Sequence, residues 1–260
     1  MTARKRRIDL WLVERGFADT RHRAQALLLA GKVLVNQQKV EKPGQLVDPE
    51  AEIRVLEELR FASRGGLKLQ AALDHFRIQV SGRVCADLGA STGGFTDCLL
   101  QNGARAVHAY DVGKGQMAWK LRQDPRVWIH DEFNVRDITF EDLPEQVSLA
   151  TVDLSFISLT KVLLPLTTAM RLRFELWQDR PEALRQELLL LVKPQFEVGK
   201  GEVGKGGIVR DPAKRQKVLR SIEDFAMRTG LEAMGSMPAP IPGWKGNQEF
   251  LLYLRIPPVL

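Results

Sequence analysis

Cysteine is scarce in this chain: Cys85 and Cys98 are the only two in 260 residues, and each sits in apolar surroundings. That excludes a disulfide framework and the paired spacing of a zinc site. Histidine is scarce too. His22, His75, His108 and His130 show no metal-ligand spacing, so they read as four unrelated residues and no metal is expected. Long apolar runs are also missing. The densest, residues 188–192, falls far short of the roughly 18 residues of a membrane span. The basic start, residues 1–7, is not followed by the apolar core of a signal peptide. No membrane partner and a cytoplasmic location are therefore expected. Internal repeats and low-complexity tracts are absent.

What is present suits a soluble globular chain, with 44% apolar and 27% charged residues. A length of 260 residues allows one large domain or two unequal ones. The 38 Lys and Arg exceed the 32 Asp and Glu, giving +6 and a pI near 9.4. A basic balance points towards a polyanionic partner. The surplus is local. Residues 1–42 hold ten cationic and four acidic side chains, a difference of +6, so residues 43–260 sum to zero.

That basic segment has its own pattern. Ile8, Trp11 and Leu12 fall at i, i+3 and i+4, as do Ala24, Leu27 and Leu28, so two short amphipathic helices open the chain. Thr20 can cap the second helix at its start and Gly31 at its end. Residues 32–36 and 39–41 read as short strands around a turn at Gln37-Gln38, and residues 52–56 as another. A one-sided basic excess on a small helical pair favours contact with RNA or DNA. The run from Arg7 to Gly16, then Thr20-Arg21, Ala24, Leu28, Gly31-Lys-Val33 and Val35-Asn36, resembles the alpha-L RNA-binding domain. That module occurs in a small-subunit ribosomal protein and in pseudouridine synthases. The resemblance implies that Arg6, Arg7, Arg21, Arg23 and Lys32 grip RNA phosphates.

After a polar connector near residues 57–64, strands and helices alternate. Apolar strands are expected at 83–88, 106–110, 127–129, 149–152 and 188–192, with helix-period segments around Phe95, Cys98 and Leu99 and around Val218, Ile222 and Phe225. Such alternation argues for a parallel sheet covered on both faces. Residues 249–255 form a strand with no helix after it, expected to close the sheet as an antiparallel strand. The fold class is thus α/β, a Rossmann-like sheet with an antiparallel last strand (residues 61–260), preceded by a small α+β RNA-binding domain (residues 1–60).

The first strand runs through Asp87 into Gly89-Ala-Ser-Thr-Gly93-Gly94 and a helix from Phe95. A glycine turn between strand and helix lets a ligand approach backbone amides at the positive helix end. Three ligands compete for it. The spacing is not the dinucleotide fingerprint and lacks the Lys-Ser/Thr of a phosphate-binding loop. Asp87 would repel phosphate but can pair with an ammonium group, and Asp111 ends the next strand where a ribose diol could be held. Acids without a phosphate anchor suit S-adenosyl-L-methionine (SAM). A second glycine loop at residues 199–206 nearly matches a phosphate-binding loop, yet Gly206 stands where a hydroxyl residue would bind magnesium. It reads as a basic lid or a plain flexible loop.

Charged residues at strand ends carry the remaining chemistry, because ligands bind beyond the carboxyl ends of the strands. Asp153 ends the fourth strand and Lys193 the fifth; Lys68 lies on the helix opening the second domain, and Glu249 starts the last strand. These stretches, from Ser63-Arg-Gly-Gly-Leu-Lys68 and DLGASTGGFT (87–96) through Asp111-Val-Gly113, Asn134-Val-Arg136, DLSFISL (153–159) and LVKPQFEVGK (191–200) to Gly206-Gly207 and Gly246-Asn-Gln-Glu249, closely resemble the TlyA (haemolysin A) family of ribosomal RNA 2′-O-methyltransferases with an FtsJ-like domain. The resemblance implies a tetrad of Lys68, Asp153, Lys193 and Glu249. It also implies a SAM site of Asp87, Gly89, Ala90, Ser91, Thr92, Gly93, Gly94, Phe95, Asp111 and Asn134, and ribosomal RNA or a ribosomal subunit as partner.

The chemistry agrees. A ribose 2′-hydroxyl needs deprotonation and in-line placement against the methyl group. Lys193 is the expected base, since a second cation, Lys68, and partial burial would favour its neutral form. Asp153 and Glu249 would orient the two amines. Two rival readings differ in class. A membrane-active haemolysin would need a membrane segment that is not visible, and a liposome-leakage assay separates it. A non-catalytic RNA-binding assembly factor would not need the tetrad, and SAM calorimetry separates it. Cytidine in large-subunit rRNA, with the small subunit as a further target, is implied by resemblance alone. Oligomeric state has no signature here.

Overall fold

The computed structural model describes residues 5–56, 60–144, 146–177, 185–199, 201–204 and 206–258. Residues 57–59 of the connector, and Lys200 and Lys205 of the second glycine loop, lie outside the described residues. The chain divides into two compact units, Met1–Leu59 and Arg60–Leu260.

The first unit contains β1 (Arg6–Arg7), α1 (Ile8–Glu14), α2 (Arg21–Leu29), β2 (Val33–Val35), β3 (Gln38–Lys39), β4 (Leu46–Val47) and β5 (Ile53–Val55). Its sheets are antiparallel, β1 with β4 and β2 between β3 and β5. The apolar spacing of both helices is what closes its core: Ile8, Leu12, Ala24, Leu28 and Val33 are fully buried. Thr20 Oγ1 accepts from the Arg23 amide at 3.2 Å and starts α2. Gly31, at φ +64°, ends it: its amide donates to Leu28 and that of Lys32 to Leu27, the paired bonds of a Schellman motif. The hairpin turn lies at Asn36-Gln37, one residue earlier than the sequence suggested. Both residues take positive φ, the geometry of a tight hairpin, and asparagine tolerates it better than glutamine does.

The second unit contains α3 (Gly65–Phe76), β6 (Val84–Leu88), α4 (Gly94–Gln101), β7 (Ala106–Tyr110), α5 (Trp119–Arg122), β8 (Val127–His130) and β9 (Val147–Val152). There follow α6 (Thr160–Leu176), β10 (Gln186–Val192), α7 (Pro194–Glu197), α8 (Pro212–Arg228), β11 (Glu232–Pro238) and β12 (Phe250–Ile256). One seven-stranded sheet runs β11-β12-β10-β9-β6-β7-β8, parallel from β10 to β8. Along β10, Leu188, Leu190 and Val192 join the core under α6 and α8, while Leu189 and Leu191 join the core under α3 and α4. Burial on both faces explains the unbroken apolar run. β12 is antiparallel to both neighbours, as expected, but it does not close the sheet. It is inserted between β10 and β11, and β11 forms the edge. Strand order reverses at β6, which lies between β7 and β9 and marks the crevice where such sheets take ligands.

Candidate active site

β6 feeds a turn that depends on glycine. Gly89 takes φ +85° and Gly93 φ +90°, with Ser91 at φ +47° between them. A Cβ on Gly89 would stand 2.5 Å from the Asp153 carbonyl oxygen, so the exits of β6 and β9 touch through bare backbone. The amides of Gly89 and Ala90 donate to the Tyr110 carbonyl at 2.8 and 3.2 Å, tying the turn to the end of β7. A Cβ on Gly94 would collide with Ser63 Oγ, so this glycine lets α3 approach the start of α4. Ala90, Phe95 and the glycines at 93 and 94 are buried, Ser91 and Thr92 are exposed, and α4 has no side-chain cap.

Two acids flank the turn and are used differently. Asp87 is fully buried, and its oxygens accept from Thr96 Oγ1 at 2.6 Å and Thr151 Oγ1 at 2.9 Å. Burial pushes its carboxyl up to about 6, against the opposing pull of both hydroxyls. It braces the turn from beneath. Asp111, half-buried, accepts from the amides of Ser91 at 2.8 Å and Gly113 at 2.7 Å. A carboxylate offers about four lone-pair sites, so acceptor capacity remains. Asn134 caps a short turn at Val135–Asp137, its Oδ1 accepting from the Arg136 amide at 3.2 Å and Nε at 3.1 Å.

The four charged residues, three expected at strand ends and Lys68 on the opening helix, form two ion pairs. Glu249, buried at the entry to β12, accepts from Lys68 Nζ on α3 at 2.6 Å and from Gln195 Nε2 at 3.3 Å. Lys193 Nζ stands 2.6 Å from Asp153 Oδ1, a charge contact without hydrogen-bond alignment, and donates to Ser155 Oγ at 3.0 Å. Val152 pairs with Leu190, and Val192 with Phe250. Asp153, Lys193 and Glu249 therefore lie at one end of the sheet, beyond the carboxyl ends of the parallel strands, the end that also carries the glycine turn.

In the first unit Arg6, Arg7, Arg21 and Arg23 are exposed and Lys32 is half-buried. Asp9 organises two of them. Its buried carboxylate accepts from Arg7 Nε and Nη2 and Arg21 Nε, each at 3.0 Å, and from Gln25 Nε2 at 3.2 Å. The bonds from Arg7 hold the Asp9 carboxyl far below the usual range, outweighing the effect of burial. Arg6 pairs with Glu14, and Arg6 and Arg15 lie over the Trp11 ring at 4.7 and 4.8 Å.

Residues 61–256 match the FtsJ-like methyltransferase family, and residues 6–53 match the S4 domain. The chain belongs to the FtsJ-like methyltransferases. It is 44% identical over 259 residues (99% of this chain, 88% of the relative) to the Bacillus subtilis protein named "Putative rRNA methyltransferase YqxC". It is 43% identical over 255 residues (97% and 91%) to "16S/23S rRNA (cytidine-2'-O)-methyltransferase TlyA" of Mycobacterium tuberculosis. A solved structure described as "Putative hemolysin from Streptococcus thermophilus" is 39% identical, covers 97% of this chain and 89% of its own, and gives a TM-score of 0.69. The alpha-L resemblance of the first unit corresponds to the S4 match.

The residues around the glycine turn suit SAM as ligand. The turn offers bare backbone at Gly89 and Gly93, an uncapped helix start and an acid just after β7. Two features were not visible in the chain. His108 and His130, read as unrelated, meet at 3.2 Å between Nδ1 and Nε2, because parallel pairing of β7 with β8 sets them beside each other. Phe156 follows Asp153 closely, takes φ +64° and is 84% exposed, with its ring 4.9 Å from that of Phe196. A lone phenylalanine in an apolar-looking segment carried no signal of either exposure or strain.

Proposed function

We propose that this chain methylates ribose 2′-hydroxyls of ribosomal RNA, a cytidine being the target suggested by the name of the M. tuberculosis relative. The observation that carries the reading is the pairing of Lys68 with Glu249 and of Lys193 with Asp153 at the carboxyl end of the sheet, the end that carries the glycine turn. Residues 89–95 of the turn, with Asp111 and Asn134, hold SAM, and Asp87 supports them from below. SAM, when bound there, would supply an electrophilic methyl group, its S–CH3 bond breaking as the sulfonium sulfur leaves as the neutral thioether of S-adenosylhomocysteine. Lys193, as the free amine, takes the hydroxyl proton as the ribose oxygen attacks, and Asp153 faces the ammonium charge that forms. Lys68 and Asp153 position the ribose, and Glu249 holds Lys68. The exposed ring of Phe156 offers a stacking face for an unpaired base, which is how RNA-modifying enzymes commonly hold their target.

The unit of residues 1–60 acts as the grip on RNA phosphates through Arg6, Arg7, Arg21, Arg23 and Lys32, and residues 61–260 carry the reaction. Mapping 2′-O-methyl groups on ribosomal RNA, with and without the protein, tests the activity. Lys193→Ala tests the base: methyl transfer is expected to fall by about a hundredfold or more with SAM affinity kept. Full activity in that variant would sink the assignment.

A further inference from the structure

Two loops deliver the Lys193–Asp153 pair, one after β9 and one after β10. The strands are parallel neighbours, so the loops leave the sheet side by side. They are joined at successive points: Lys193 to Asp153 and Ser155, then Phe156 to Phe196 through their rings. The last link is Glu197. Its Oε2 accepts from Ser158 Oγ at 2.6 Å and its Oε1 from the Leu159 amide at 2.8 Å, and Ser158 Oγ lies 2.8 Å from Thr160 Oγ1.

Three further observations give this link its weight. α7 is a single four-residue turn with Lys193 at its N-cap, too short to hold its own position. α6 runs for 17 residues and has no side-chain cap from its own N-cap Leu159, so the Glu197 carboxylate supplies an anion at that helix start. Packing does not confine the acid either. A cavity of about 370 Å³ lies against Ser158, Glu197, Lys214 and Lys217, leaving room for the carboxylate to swing away if its two bonds were lost. Burial raises the Glu197 carboxyl above its ordinary range, so the acid is held there at a cost that its partners must offset.

We propose that Glu197 is a positioning residue that locks the loop carrying Lys193 to the loop carrying Asp153, and so sets the amine against its substrate. The inference rests on the role given to Lys193 above. Glu197 touches neither substrate nor cofactor; it acts through the register of the two loops.

The test measures single-turnover methyl transfer on ribosomal RNA at saturating RNA and SAM, with rates normalised to the SAM-binding stoichiometry found by calorimetry. Misfolded protein is thereby not counted. Glu197→Ala is expected to slow transfer by about tenfold to a hundredfold, the scale of an ångström-sized misplacement, with SAM affinity within about twofold of wild type. Glu197→Gln keeps an acceptor for the Leu159 amide and should recover most of the rate. Ser158→Ala loses one bond and should slow transfer by about fivefold; adding it to Glu197→Ala should cost nothing more. A wild-type rate per SAM-binding molecule in both Glu197→Ala and Ser158→Ala overturns the proposal, as does full additivity in the double variant. Lys193→Ala separates the two levels. Full activity there removes the reading on which the inference rests, whereas an inactive Lys193→Ala beside an unaffected Glu197→Ala overturns the Glu197 proposal alone.

Discussion

A buried acid inside a basic RNA-binding unit looks electrostatically misplaced, and at residue scale it is the most informative position there. Asp9 adds a negative charge where phosphates are to be held, yet it orients the guanidiniums of Arg7 and Arg21 through bonds of 3.0 Å. Simple charge counting says that Asp9→Asn should strengthen RNA binding. The geometry says the opposite: the arginines lose their common anchor, and RNA affinity should drop by about fivefold to tenfold on a filter-binding assay, with lower thermal stability. Gly89 is a second case. At φ +85° and with the Asp153 carbonyl in the way, Gly89→Ala should cost about 1–3 kcal/mol of stability and abolish detectable SAM binding by calorimetry. Residues of this kind differ in how visible they are in a sequence. Asp153, Lys193 and Glu249 stand out because each is a charge at the end of an apolar run, whereas Lys68, inside α3, is legible only through the family resemblance of its Ser63-Arg-Gly-Gly-Leu-Lys68 stretch. Asp9 and Glu197 do not stand out, since their meaning lies in partners 12 and 39 positions away.

At the scale of elements, legibility follows burial. β6, β9 and β10 are buried on both faces, and their apolar runs show them plainly. β11 escaped because it is an edge strand: it is largely exposed, contains Gly235 and Pro238, and shifts register between Ala233 and Gly235. With β11 illegible, β12 reads from the sequence as the strand that ends the sheet, whereas it pairs with β10 on one side and β11 on the other. Strand pairing likewise created the ladder Trp128, His108, His130, Tyr110, stacked at ring separations of 5.7, 5.4 and 4.3 Å. Burial, with a smaller contribution from His130, pushes His108 from 6.5 down to about 4. His130 is lowered in the same sense, opposed by Asp142. Between those two pH values the unfolded chain binds a proton that the folded chain refuses, so stability is lost as pH falls from 6.5 to 4. Asp87 works the other way, because its raised value means the folded form takes a proton first as pH falls through about 6. Comparing variants removes that background. The melting temperature of His108→Phe should decline less than that of wild type between pH 6.5 and 4, and an identical decline would contradict the assignment.

For the whole molecule, the decisive property is that charge and chemistry occupy different units. The first unit closes its own core around Ile8, Leu12 and Leu28, and the second has separate cores on the two faces of its sheet. Residues 1–42 contain the entire net charge of +6, while the catalytic unit ties many of its cations to acids, as in Arg83–Glu187, Lys120–Asp97 and Arg126–Asp124. RNA affinity should then fall steeply with salt, and Arg23→Ala with Lys32→Ala should reduce the log–log slope by up to about two. Removing residues 1–59 gives the sharper prediction. The proposed tetrad and the glycine turn both belong to the remaining unit, so SAM should bind with unchanged affinity. What disappears is binding energy spent equally on the ground and transition states, which lowers kcat/KM without touching the step itself. Methylation by the truncated chain should therefore lose at least about a hundredfold in kcat/KM and recover as RNA concentration is raised. If instead the rate at high RNA stayed low while SAM bound normally, the first unit would be placing the ribose as well as holding the strand.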